Sequence, residues 1–205
     1  IETYLSAEQN KSILQVLAFA LMQLRTREFK ISQGIEIIQE KLQKVAGHDL
    51  TPQQFLEQIK DVSGLLVERE IGLYEFAHLS FQEYLAAAEI KKLQQESVLL
   101  ENINDTWWAE SIRLYAAQSD ATNLIEYVID HPSVTTLTLA LDCCQQEKSE
   151  VNNATKEKLY EILEAGLESQ EQEIAKLAAE VKLLRRLNNL LKIDESLEID
   201  QDYIT

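Results

Sequence analysis

His78 stands two residues ahead of a helix start in the stretch Tyr74-Glu-Phe-Ala-His78-Leu-Ser80-Phe-Gln-Glu83-Tyr-Leu-Ala-Ala87. Alternation puts Tyr74, Phe76 and His78 on one side of a strand and Glu75 and Ala77 on the other. Ser80 followed three residues later by Glu83 is the capping-box pattern, and Leu79 can staple onto Tyr84 one turn in. A helix N-terminus carries a partial positive charge and unpaired N–H groups, so it favours anions. An imidazole fixed beside that end is placed to donate a hydrogen bond to a phosphate. The plainer reading is a strand-end histidine hydrogen-bonded inside its own core.

The other reactive side chains form no comparable group. Cys143 and Cys144 are adjacent, with no histidine or further cysteine at ligand spacing, and read as small buried apolar residues. His48-Asp49 and Asp130-His131 are isolated pairs in loops, short of the three convergent ligands a metal needs. The chain has no Gly-rich phosphate loop with Lys and Ser/Thr, no acidic strand end for Mg²⁺, and no nucleophile elbow. No catalytic or metal-binding residue is therefore assigned, and the chain is not expected to be an enzyme.

The run Leu65-Leu-Val-Glu-Arg69, followed by Tyr74 to Ala87, resembles the end of the winged-helix domain of NACHT-type signalling NTPases. These STAND-class switch proteins include animal NLR immune receptors and many bacterial relatives. The likeness is dense over about residues 62–92, compatible with residues 5–62 and loose beyond Trp108. In that family the histidine of this motif contacts the β-phosphate of bound ADP and holds the closed, inactive form. The resemblance gives that role to His78 alone. It implies a regulatory region with no cofactor of its own, and ADP/ATP or GTP bound elsewhere in a longer protein. The implied partner is the nucleotide-binding domain of that protein, in innate-immunity-like signal transduction.

Among the neighbours of His78, Glu83 is expected to cap its helix and Phe81 and Tyr84 to pack. Gln82 is the one expected to face another domain. Trp107-Trp108 reads as one core and one half-exposed ring, with Trp108 in the core.

Few glycines and prolines, 5 and 2 in 205 residues, argue for a mainly helical chain. The chain begins with Ile1 and shows no signal peptide, and is expected to be a piece of something longer. No apolar run reaches the length of a membrane span. With only two neighbouring cysteines, a reducing cytoplasm is the natural setting. The net charge of −16 is uneven: −4 over residues 1–96 and −12 over residues 97–205. Such a surface repels nucleic acid. A DNA-reading winged helix needs a basic recognition helix, yet Gln53–Val62 carries only Lys60 against Glu57 and Asp61.

Spacing places the elements. Ser6-Ala-Glu-Gln9 caps a helix with Ile13, Leu17, Leu21 and Leu24 on one face. Ile31, Ile35, Ile38, Leu42 and Val45 give a second, closed by Gly47. Thr51-Pro52-Gln53-Gln54 opens a third, with Leu50 stapling to Phe55. Leu65–Glu70 and Leu73–His78 read as two strands around Ile71-Gly72. After Gln94–Ser97 only helices are expected. Asp105 caps one and Asp120 another, Pro132 starts a third, and Leu159 to Leu167 mark a fourth. A fifth starts at Ser169, with the stripe Ile174, Leu177, Ala178, Val181, Leu184, Leu187 and Leu191.

The expected architecture is mainly α: a winged-helix domain with a small β-hairpin over residues 1–96, then an acidic all-α helical array or bundle over residues 97–205. The acidic part would act as sensor, lid, protein-ligand surface or self-oligomer contact. The rival is an acidic helical protein–protein interaction scaffold, indifferent to nucleotide.

Overall fold

Helix α1, Ala7–Gln23, begins where the sequence signals it: Ser6 and Gln9 form a reciprocal capping box. Ile13, Leu14, Leu17, Ala18, Leu21 and Met22 are buried on more than one side, so α1 is the central rod of the N-terminal core. It ends with Arg25 in the left-handed region, φ 55°, a place glycine usually takes, while Thr26 N–H returns to the Leu21 carbonyl. The structure is a computed structural model and describes residues 5–47, 49–146, 149–165, 172–173, 175–183 and 186–187.

A three-residue strand, β1 (Glu28–Lys30), follows with only Phe29 buried. Helix α2, Ile31–Ala46, buries Gly34, Ile38 and Leu42, a single stripe at four-residue spacing. Ile35 and Val45, expected on that face, stay half-buried. Gly47, at φ 64°, closes the helix. Helix α3, Pro52–Gln58, carries the Thr51–Gln54 capping box and Pro52 at its first turn. It widens into a π-helical turn over Ile59–Ser63 and stops at left-handed Gly64.

Strands β2 (Leu66–Glu70) and β3 (Leu73–Phe76) pair antiparallel, with Leu66 opposite Phe76 and Glu68 opposite Tyr74. The pairing slips by one residue between Glu68 and Glu70, a bulge next to the Ile71-Gly72 turn. β1 joins β3 on its other side, Phe29 opposite Tyr74, so the sheet order is β1-β3-β2. β3 ends at Phe76, two residues short of the expected strand end at His78.

Helix α4, Leu79–Leu93, lies against α1 and also packs on α6. Its inner face holds Ala86, Ala87 and Ile90, all fully buried, and small side chains let two helices approach closely. Two further helices, α5 (Glu96–Glu101) and α6 (Ala109–Ala116), follow. Trp108, Ile112 and Tyr115 are buried as expected, but α6 starts four residues after Asp105. Asp105 instead accepts from the Trp107 N–H at 3.0 Å and pairs with Arg25.

Residues 1–119 form one compact unit and residues 120–205 a second. In the second, α7 (Thr122–Asp130) packs on both α8 (Val134–Cys144) and α9 (Asn153–Ala165). Leu124, Ile125, Val128, Leu137, Leu141, Leu159 and Leu163 are buried between them. Ser133, the residue after Pro132, caps α8 with Thr136. The α7 cap position is Ala121, with Asp120 accepting from Thr122 N–H at 2.9 Å. The described residues between 172 and 187 are helical, with Ala178 and Val181 buried and Leu187 exposed. Ile174, Leu184 and Leu191 lie outside the described residues, as do Gly166, Leu167 and Ser169. The chain is thus mainly α, with a small antiparallel sheet in its N-terminal part and, among the described residues, only helices after it.

Gly34 tests how tightly α2 seats on the sheet. A Cβ there would lie 2.6 Å from one Phe29 ring carbon and 2.9 Å from another. Phe29 is itself 1 % exposed and has no room to retreat. Helix propensity favours alanine by about 1 kcal/mol, but overpacking a filled core costs roughly 1–3 kcal/mol. Gly34→Ala is expected to lower the urea midpoint of unfolding; a raised midpoint would show that the ring gives way.

Candidate functional site

Where β3 gives way to α4 the chain is pinned at both sides of His78. The Ala77 N–H donates to the Leu65 carbonyl at 2.9 Å, one step past the end of β3. His78 is extended, φ −131° and ψ 139°, and occupies the N-cap position itself. Its carbonyl accepts from the Phe81 N–H at 3.1 Å. The imidazole is exposed and meets the Phe81 ring edge-on, with centroids 5.3 Å apart. Its ring nitrogens have no hydrogen-bond partner among the described residues. The helix start therefore lies two residues earlier than the Ser80 pattern predicts, with His78 and not Ser80 at the cap.

The Ser80–Glu83 capping box does not form, because the rotation of α4 is set by burial and not by its first turn. Turning Leu85, Ala86 and Ile90 into the core carries Gln82 and Glu83 inward as well. Glu83 is 9 % exposed and faces Glu110 of α6 together with Arg27 and Arg113. Burial pushes its carboxyl pKa up, the Glu110 charge adds to this, and the two arginines oppose it. Gln82, expected to face another domain, is fully buried. Its amide donates to the Thr26 carbonyl at 3.0 Å, and its Oε1 has no partner among the described residues. Phe81 and Tyr84, expected to pack, are the exposed ones, at 37 % and 39 %.

The alternation along β3 holds for two residues of three. Tyr74 and Phe76 are buried, but His78 lies beyond the strand. On the opposite face Glu75 is buried too, which alternation does not foresee. Arg69 Nε donates to its carboxylate at 2.6 Å and Arg27 approaches to 3.9 Å, so the buried charge is paired. No local sequence signal marks this, because Arg27 and Arg69 reach Glu75 from beside β1 and from β2 only once the sheet has formed.

The remaining candidates resolve simply. Trp108 is core; Trp107 is half-buried and donates its indole N–H to the Met22 carbonyl at 3.0 Å. Cys143 and Cys144 are buried thiols, and burial raises the Cys144 pKa to about 11. His131 stacks on Tyr127 with centroids 4.4 Å apart. His48 lies outside the described residues. Among the described residues no three His, Cys, Asp or Glu side chains are grouped to hold a metal ion. No helix there is long and apolar enough to cross a membrane. On the outer side of α3 and its wide turn, Lys60 is paired with Glu68 at 3.3 Å and Asp61 at 3.6 Å.

The order α1-β1-α2-α3-β2-β3, with β3 central, is that of a winged helix. Residues 2–90 match the family model described as the winged helix-turn-helix domain C-terminal to NACHT. The N-terminal part of this chain belongs to that family. The match includes His78, Phe81, Gln82, Glu83 and Tyr84 and runs through most of α4. Comparison with curated proteins and with solved structures gave no match. The NACHT-associated winged helix is distinct from the catalytic NTPase domain that it follows, and a helical region follows it in turn.

Glu83 gives a measurable signature of the α4–α6 contact. Its folded pKa is raised above the ordinary 4.5, so the folded state holds the proton more tightly than the unfolded state. The carboxylate therefore costs stability above its folded pKa, and that cost fades as pH falls through the raised value toward 4.5. Glu83→Gln is expected to be more stable than the parent at pH 7 and equal to it below about pH 4. Urea unfolding at a series of pH values measures this; a constant difference across the series would refute the assignment.

Proposed function

We propose that this chain is a regulatory, non-catalytic region of a NACHT signalling NTPase, in which the winged helix senses the bound nucleotide through His78. On this reading His78 donates to the β-phosphate of ADP held by the nucleotide-binding domain of the same protein, and so maintains the closed, autoinhibited form. Residues 1–96 are the sensing winged helix and residues 97–205 an acidic helical sensor or interaction surface. The supporting observation is the state of His78. It is exposed, fixed at the N-cap of α4, steadied by Phe81 and unused by its own domain among the described residues. The N–H groups of Leu79 and Ser80, at the start of α4, lie beside it, and a helix start adds to the preference for an anion.

The strength is modest. A charge-assisted hydrogen bond contributes about 1.5–3 kcal/mol, enough to bias a two-state switch but too little to hold ADP alone. Such coupling is reciprocal: if ADP favours the docked winged helix, the docked winged helix must slow ADP release.

A second reading, a nucleotide-indifferent interaction scaffold, draws on the helical unit. There Tyr127 and Tyr160 are 37 % exposed on helices that also carry Glu126, Asp130, Glu157, Glu161 and Glu164. Partner capture through residues 97–205 that ignores nucleotide would favour it.

In the intact NACHT protein, His78→Ala is expected to speed ADP dissociation by roughly 10-fold or more, the equivalent of losing one charge-assisted bond, and to raise basal signalling. Stopped-flow release of a fluorescent ADP measures it. An unchanged off-rate would defeat the nucleotide-sensing reading.

A further inference from the structure

The first turns of α1 and α4 leave an open apolar groove of about 590 Å³ between them. Leu14, Ile59 and Leu85 form its inner surface, Phe81 and Tyr84 stand exposed along it, and Ala7 lies at its end. Among the described residues no carboxylate lines it, although the chain as a whole is strongly acidic. The one cation among those residues, Lys11, lies 5.7 Å from the centre of the Tyr84 ring. Elsewhere on this unit the large exposed apolar side chains, such as Leu24, Ile71 and Leu93, belong to separate elements or turns. Scattered single residues need no explanation, but a joined apolar groove does.

We propose that this groove seats an apolar helix face of the preceding NACHT module, making it a second anchor beside His78. The inference rests on the nucleotide-sensing reading above. Three observations select this occupant. The groove and His78 share Phe81, which lines the one and carries the ring of the other, so a body reaching His78 also meets the groove. Ala7 is the first residue of α1, so the groove opens at the end of the domain to which the NACHT side is joined. A tethered partner there has an effective concentration in the millimolar range, about what a small apolar contact needs. Finally, the lining on α1 and α4 recurs at helical spacing, Ala7, Lys11 and Leu14 against Phe81, Tyr84 and Leu85, which suits a helix laid in a groove. The chemistry specifies apolar anchors with a carboxylate near Lys11 and disfavours a basic segment.

The test uses the intact NACHT protein loaded with ADP and compares Ala7→Glu, Tyr84→Glu and His78→Ala. A carboxylate in the first turn of α1 is compatible with the helix dipole, so Ala7→Glu keeps the fold even if Tyr84→Glu does not. ADP release and hydrogen exchange of the first turns of α1 and α4 are read together. Both groove variants are expected to speed ADP release roughly tenfold and to raise exchange in those turns at saturating ADP. If His78→Ala speeds ADP release while both folded groove variants match the parent, the groove is not the seat and the nucleotide reading stands. If the groove variants open the protein while His78→Ala leaves ADP release unchanged, the groove stands and the role of His78 falls. A dimer of this chain that Ala7→Glu abolishes would assign the groove to a second copy and overturn the proposal.

Discussion

The buried contact between α4 and the end of α1 decides where everything else in the N-terminal unit stands. Ala86 and Ala87 remove the bulk that would hold the two helices apart, and Gln82 reaches across to the Thr26 carbonyl. A carbonyl just past a helix end, buried without a partner, would cost about 1–3 kcal/mol, so this amide does more than fill space. Trp107 satisfies the Met22 carbonyl in the same region, and Arg25 pairs with Asp105 nearby. The end of α1 is thus held from α4 and from the segment before α6. With α4 held in this rotation, the first turn can point only one way. Gln82 and Glu83 go in, Phe81 and Tyr84 come out, and His78 is carried to the surface.

Much of this is legible in the residues. Ser6–Gln9 and Thr51–Gln54 are local devices whose partners lie three residues apart, so pattern and structure agree. The hairpin around Ile71-Gly72 and the core position of Trp108 follow from period and size. Ser80–Glu83 has the same spacing as these boxes, which form, yet it fails. A capping box contributes about 1 kcal/mol, whereas a helix face with several fully buried side chains contributes several times as much. Burial of that face therefore sets the rotation. β1 leaves no mark in the sequence, because three residues with one buried side chain carry no period. Its signal is tertiary, the free edge of β3. Glu75 departs from alternation for a related reason: Arg69 of the neighbouring strand β2 and Arg27, just before β1, lie over its carboxylate, a tertiary contact that alternation does not report. A change of composition after residue 96 marks where the chain turns acidic, but α5 and α6 continue to pack on α4 and belong to the same compact unit.

The fold is one that often reads DNA, and here its electrostatics point elsewhere. Lys60 is occupied by Glu68 and Asp61, and β2 ends with Glu68, Arg69 and Glu70. Phosphate backbones are bound by neutralising several charges at once, and this surface presents the opposite sign. A single phosphate is a different target. It needs one donor in one place, with its geometry fixed by the scaffold, and a neutral or acidic surround does not forbid that.

On the proposed reading, one donor is also why the site would need company. Moving a two-state equilibrium from 1:99 to 99:1 takes about 5.5 kcal/mol of differential binding. A lone charge-assisted hydrogen bond supplies about 1.5–3 kcal/mol. The remainder must come from surface that is covered in one state and bare in the other. Apolar area contributes roughly 25 cal/mol per Å², so covering about 100–150 Å² beside His78 would close the gap. Phe81 and Tyr84 are aromatic side chains of that order of size, exposed on the turn that His78 caps. A polar contact that identifies the nucleotide and an apolar one that supplies the strength would then share a single rigid element, α4. A ligand that changes one must change the other.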